Sequence, residues 1–193
     1  MRGSASLSVK ISIVAPVAVL LLGILKGVLF AAIASLLMLL AGAARPHVAF
    51  LGRIPGTRRY SDLERHPDNE VLPGIVIFRV ESSLLYFNAD HVRQVVGARL
   101  HATPQLRLVV CDLSDAPFVD VAGARMLAGL HADLAKREVP LRVVVEAHAK
   151  VRDLLRAEGL EERVGYLGRH LSVDQAIAEH EGNSLRKELC PAE

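Results

Sequence analysis

The chain of 193 residues has no tryptophan, 4% aromatic residues, two cysteines, and no acidic residue before Asp62. Each shortage excludes something. Nucleic acid is gripped by a basic face, and single strands by aromatic platforms as well. A formal net charge of +2 with so few aromatics leaves no basis for a nucleic-acid partner. Cys111 lies inside an apolar run and Cys190 stands near the C-terminal end, so a buried thiol in a reduced compartment is expected, not a disulfide. The eight histidines are scattered, which gives no metal-ligand spacing. Neither a phosphate-binding Gly-x-x-x-x-Gly-Lys loop nor a G-x-S-x-G or H-E-x-x-H motif occurs. No catalytic residue, cofactor or metal is therefore assigned, and the chain is not expected to be an enzyme. Asp112, Asp115 and Asp120 are close in sequence, but carboxylates after a buried strand are ordinary loop chemistry.

What is present begins with grease. From Ile11 to Ala44 the sequence "ISIVAPVAVLLLGILKGVLFAAIASLLMLLAGAA" is interrupted by a single charge, Lys26. One straight helix of that length would span about 51 Å, against a hydrocarbon core of about 30 Å. A cleaved signal peptide has a shorter apolar region, about 7–15 residues. The expectation is a transmembrane hairpin with "ILKGV" as its turn and arms at Ile11–Leu25 and Gly27–Ala44; the alternative is one tilted helix with Lys26 reaching for the interface. Arg2 and Lys10 precede the apolar segment, and Arg45, Arg53, Arg58 and Arg59 follow it. Basic residues at both ends favour a cytoplasmic location for both, with the four arginines at the membrane interface. Beyond Ala44, the other 20 of the 23 basic residues face 21 acidic ones.

Residues 45–72, with Pro46, Pro55 and Pro67, read as a juxtamembrane linker. A strand–helix alternation then fills 73–182, with 183–193 as a flexible tail. "GIVIFRV" (74–80) and "SLLYFNA" (83–89) are strand-like. A helix follows with Asn88 as its N-cap and Val92, Val95, Val96 and Leu100 on one face. "LRLVVCDL" (106–113) and "LRVVVEA" (141–147) suit strands buried on both faces. Helices are expected at 120–138 and at 149–159 ending at Gly159, a short strand at Val164–Leu167, and a last helix capped by Ser172 and Gln175. Such alternation predicts an α/β fold with a partly parallel sheet covered by helices.

The strings "ARPHVAFLGRIPGTRRYSDLERHP", "PGIVIFRVESSLLYFNADHV" and "DVAGARMLAGL" together resemble the C-terminal part of SulP-type sulfate permeases. In that family the last membrane helices run through an "RP-x-x-x-x-LGR-x-PGT" connector into a cytoplasmic STAS domain. The resemblance implies a mixed STAS-type (anti-sigma factor antagonist-like) sheet covered by helices, preceded by an all-α transmembrane hairpin. It places the chain in the cell (inner) membrane with the domain on the cytoplasmic side. It also implies a transporter piece lacking most of the membrane domain, not transport-competent alone. The partners implied are the lipid bilayer, the remaining membrane domain or a second copy. The alternative is a stand-alone membrane-anchored regulatory module that binds a cytoplasmic protein through the Asp120 turn.

In anti-sigma factor antagonists the strand-to-helix turn reads Asp-Ser-Ser-Gly, the second serine being the phosphorylated switch. The matching residues here are Asp120, Val121, Ala122 and Gly123. Ala122 has no hydroxyl, so no phosphorylation switch operates at that position. Asp120 is left as a helix cap or a partner-docking turn.

Overall fold

The apolar run ends as a helix in the computed structural model, which describes residues 24–146 and 148–189. Helix α1, Ile24–Ala44, is apolar all round and exposes Val28, Leu29, Phe30, Leu36, Leu37 and Leu39. At about 1.5 Å per residue it is long enough to cross a hydrocarbon core, and its last 19 residues, Lys26–Ala44, carry one charge. The residues expected to form the hairpin turn, "ILKGV", are helical instead. Lys26 does not break the helix, because a long ammonium-tipped side chain can run along an apolar surface. Residues 11–23 of the expected first arm lie outside the described residues, as do Arg2, Lys10 and Cys190.

The second unit, Arg45–Glu193, is built on strands β1 (Val48–Arg53), β2 (Tyr60–Asp62), β3 (Ile75–Val80), β4 (Leu108–Asp112) and β5 (Leu141–Val144). They lie in the order β2-β1-β3-β4-β5. Strands β3, β4 and β5 are parallel, while β1 runs antiparallel to both β3 and β2. The segment read as a linker thus supplies two strands. Pro46 and Pro55 flank β1 and Pro67 follows β2, so none of them interrupts a strand or removes a ladder hydrogen bond. Pro55 and Gly56 form the turn after β1: Thr57 N–H donates to the Ile54 carbonyl at 3.1 Å, and Gly56 has φ +71°, the left-handed value a type II turn requires at that place.

Helices α2 (Ala89–Ala102), α3 (Val121–Ala135), α4 (Ala149–Ala157), α5 (Glu161–Val164) and α6 (Val173–Leu189) complete the domain. Side chains alternate along the central strands. Val76, Phe78, Val109 and Cys111 join one core with α2, α3 and α4, whereas Ile75, Ile77, Leu108 and Val110 join another with Val173, Ala176 and Ile177 of α6. A sheet covered on both faces explains why β4 is apolar at every position but its last. Burial pushes the Cys111 thiol well above its usual pKa, so it packs as an inert apolar group.

Two expected strands are absent. "SLLYFNA" has only Leu84 in a sheet-like bridge, to Val119. Asn88 turns the chain there, accepting from Leu85 N–H and donating to the Ser83 carbonyl, both at 2.9 Å. Asn88 occupies the cap position of α2, but its side chain makes no bond to the helix amides and closes the preceding turn instead. Around Val164–Leu167 the chain forms helix α5 and then a coil, because Glu161 accepts from Leu167 N–H at 3.0 Å and holds the segment off the sheet. That bond, then Arg156, lowers the Glu161 pKa. The Ser172–Gln175 capping box is closed in both directions, at 3.0 and 3.2 Å.

Candidate functional site

Strand β4 ends in Asp112, and the loop after it reaches α3 through Phe118, Val119 and Asp120. Leu84 pins that loop. Its N–H donates to the Phe118 carbonyl at 2.9 Å, and its own carbonyl accepts from Asp120 N–H at 3.1 Å. The Asp120 carboxylate then faces two ways. Oδ1 accepts from Gly123 N–H at 2.8 Å, serving one of the otherwise unpaired amides of the first helical turn. Oδ2 accepts from Tyr86 N–H, also at 2.8 Å. One side chain therefore ties the start of α3 to the turn before α2, a link that motif reasoning at Asp120 alone does not reveal.

The tie presents an apolar surface. Tyr86 is 74% exposed, Phe118 61%, Val121 40% and Phe87 36%. Tyr86 and Phe87 meet edge to face, with ring centroids 5.5 Å apart. Ala122 is half-buried and Gly123 buried. Of the strand-like "SLLYFNA", Tyr86 and Phe87 belong to this surface, whereas Leu84 and Ala89 are buried in the core.

Beneath it, Asp112 is buried, and Arg79 on the adjacent strand meets Asp112 Oδ2 with Nε and with a terminal nitrogen, both at 2.8 Å. Asp112 Oδ1 accepts from Ser114 N–H at 2.9 Å. Asp115 approaches Arg79 at 3.5 Å. The three acids do not converge on a common centre: Asp112 and Asp115 serve Arg79, and Asp120 serves two amides. Among the described residues no group of three potential ligands could hold a metal. Arg79, missed on sequence grounds, had one signal: it is the lone charge in "GIVIFRV".

The basic residues after the apolar segment are not equivalent. Arg45, Arg58 and Arg59 are exposed. Arg53 lies in β1 and donates Nε and a terminal N–H to Glu70 Oε2, at 2.9 and 2.8 Å, so its charge is spent on the domain.

Removing the Asp120 carboxylate as Asp120→Ala should cost about 0.5–2 kcal/mol through loss of the cap, near the upper end because Tyr86 loses its acceptor too. Thermal melting measures it, with Ala122→Ser, a residue type at home in a first helical turn, as the mild comparison. An unchanged melting temperature for Asp120→Ala would refute the capping role.

Residues 66–176 match the family model described as the STAS domain. The chain is 29% identical to high affinity sulfate transporter 1 of Stylosanthes hamata over 161 residues, covering 79% of this chain and 24% of that protein. It is 31% identical to low affinity sulfate transporter 3 of the same species over 170 residues, covering 82% of this chain and 26% of that protein. Among solved structures, the murine solute carrier 26 family member A9 anion transporter in the inward-facing state superposes with a TM-score of 0.75 at 21% identity, over 90% of this chain and 28% of the other. The chain spans about a quarter of the length of the sulfate transporters it matches.

Proposed function

This chain belongs to the STAS domain family, and from that premise we propose that it is the membrane-tethered STAS part of a SulP-type anion transporter. The observation that carries the proposal is the order of elements: an apolar helix of membrane-spanning length ends at Ala44, and the first strand of the sheet begins at Val48. The sulfate transporters it resembles support an anion as the transported species. The domain works by binding and positioning, not by catalysis, and transport requires more membrane helices than the chain's apolar segment supplies. Exposed Arg45, Arg58 and Arg59 after the apolar segment support a cytoplasmic side of the cell (inner) membrane for the domain.

Alkaline carbonate extraction tests the tether. The full chain should remain entirely with the membrane pellet, and its recovery in the soluble fraction would refute integral attachment.

A second reading, a regulatory module that docks a cytoplasmic protein, is favoured by the exposed Tyr86, Phe87, Phe118 and Val121 around the Asp120 turn, since aromatic anchors are typical of interface hot spots. The readings separate on one result. Supplying the other membrane helices restores anion flux under the first, and changes nothing under the second.

A further inference from the structure

A groove of about 600 Å³ opens between the first residues of β3, the end of α2 and the loop that follows α2. It is remote in the fold from the Asp120 turn, which follows the opposite, C-terminal ends of the parallel strands. Its apolar lining includes Phe50, Leu51, Leu72 and Ile75, and its polar side carries Arg99 and Arg107. Among the described residues none of the lining is acidic. Among the described residues neither guanidinium has a carboxylate partner.

Both arginines are held in place. The Arg99 guanidinium lies over the Phe50 ring, 5.4 Å from its centroid, a cation–π contact that keeps the charge above the apolar floor. Arg107 donates its backbone N–H to the Gly74 carbonyl at 2.7 Å and a terminal N–H to the Pro73 carbonyl at 2.9 Å. Further guanidinium donors remain on each. The end of α2 contributes about half a negative charge at this place, and the Thr103 hydroxyl already donates to its Arg99 carbonyl. Two full positive charges outweigh it.

We infer that this groove binds a soluble single-chain amphiphilic anion, a phosphate or carboxylate head carried on an alkyl or acyl chain. The head meets Arg99 and Arg107, which suit planar or tetrahedral oxyanions, and the chain covers the apolar lining. The volume falls within the range of small-molecule sites. A bare inorganic anion would leave the apolar lining wet, and an uncharged alkane would leave two cations without a counter-charge. This inference does not depend on the transport reading.

Isothermal titration calorimetry on the full chain in phosphatidylcholine nanodiscs, with empty nanodiscs subtracted, provides the test. Hexyl phosphate should bind once per chain, inorganic phosphate at least tenfold more weakly, and hexanol not at all. Arg99→Gln and Arg107→Gln should each weaken hexyl phosphate about tenfold, while Arg125→Gln, an exposed arginine on α3, should change nothing. Ala102→Glu, at an exposed position lining the groove, should abolish binding with both arginines intact. Doping the bilayer with phosphatidylglycerol should leave the affinity unchanged; a loss of affinity would make the occupant a lipid headgroup and overturn the soluble ligand. Hexyl phosphate binding that survives both arginine variants and Ala102→Glu, or no binding to the unaltered chain, would overturn the site itself.

Discussion

Replacing Arg79 with methionine should lower the stability of the STAS domain by about 3 kcal/mol, the lower end of the range for breaking a buried ion pair. Asp112 is 1% exposed and would keep only the 2.9 Å bond from Ser114 N–H, with its charge no longer opposed. Arg79 itself is partly exposed, at 26%, so water entering near its former position offsets part of the loss. For a domain of this size about 3 kcal/mol lowers the melting temperature by about 6–12 °C. The double variant Arg79→Met with Asp112→Leu should recover most of the loss, because the cost lies in the orphaned carboxylate. A double variant no more stable than Arg79→Met would show that the ion pair is not what holds β3 and β4 together at this end.

Two glycines on the same helix should respond with opposite signs. A Cβ on Gly123 would sit 2.6 Å from the Leu84 carbonyl oxygen, 2.9 Å from Leu84 Cγ and 3.1 Å from Val119 Cγ1. That oxygen cannot move away cheaply, since it accepts from Asp120 N–H in the link that joins the two loops. Gly123→Ala should therefore cost about 3 kcal/mol, the upper end of the usual overpacking range. At Gly129 a Cβ would meet nothing closer than Arg93 Nη1 at 3.6 Å, an ordinary contact. There the better helix propensity of alanine should add about 0.5–1 kcal/mol. Thermal melting of the two variants checks both signs, and a harmless Gly123→Ala would mean that the turn at Leu84–Asn88 yields freely.

The parts of this fold legible in the sequence are those in which one local rule decides. The apolar run of β3 read as a strand and those of β4 and β5 as strands buried on both faces, and Ser172 and Gln175 name their own capping box. Strand β1 was hidden because the prolines and glycines around it suggest a connector. Val48–Leu51 is nonetheless an apolar run bounded by Pro46 and Pro55, the pattern of a short buried strand. "SLLYFNA" misled in the opposite direction: Leu84 and Ala89 are buried, but Tyr86 and Phe87 serve an exposed surface, and periodicity cannot distinguish surface from core. At the site, Asp120 was legible as a cap from its place before a helix. Its bond to Tyr86 N–H and the Arg79–Asp112 pair join residues more than 30 positions apart, and only the folded sheet brings them together.

As the proposed tethered domain of a transporter, this chain should move no anion unaided. A permeation path needs polar groups meeting the substrate from several helices, and between Ile11 and Ala44 the only ionisable side chain is Lys26, with Ser12 and Ser35 the only hydroxyls. The purified 193-residue chain in liposomes, with labelled sulfate, bicarbonate or chloride outside, measures this directly. Uptake should equal that of empty vesicles; uptake above that level, lost on Lys26→Ala, would show that this chain moves anions by itself.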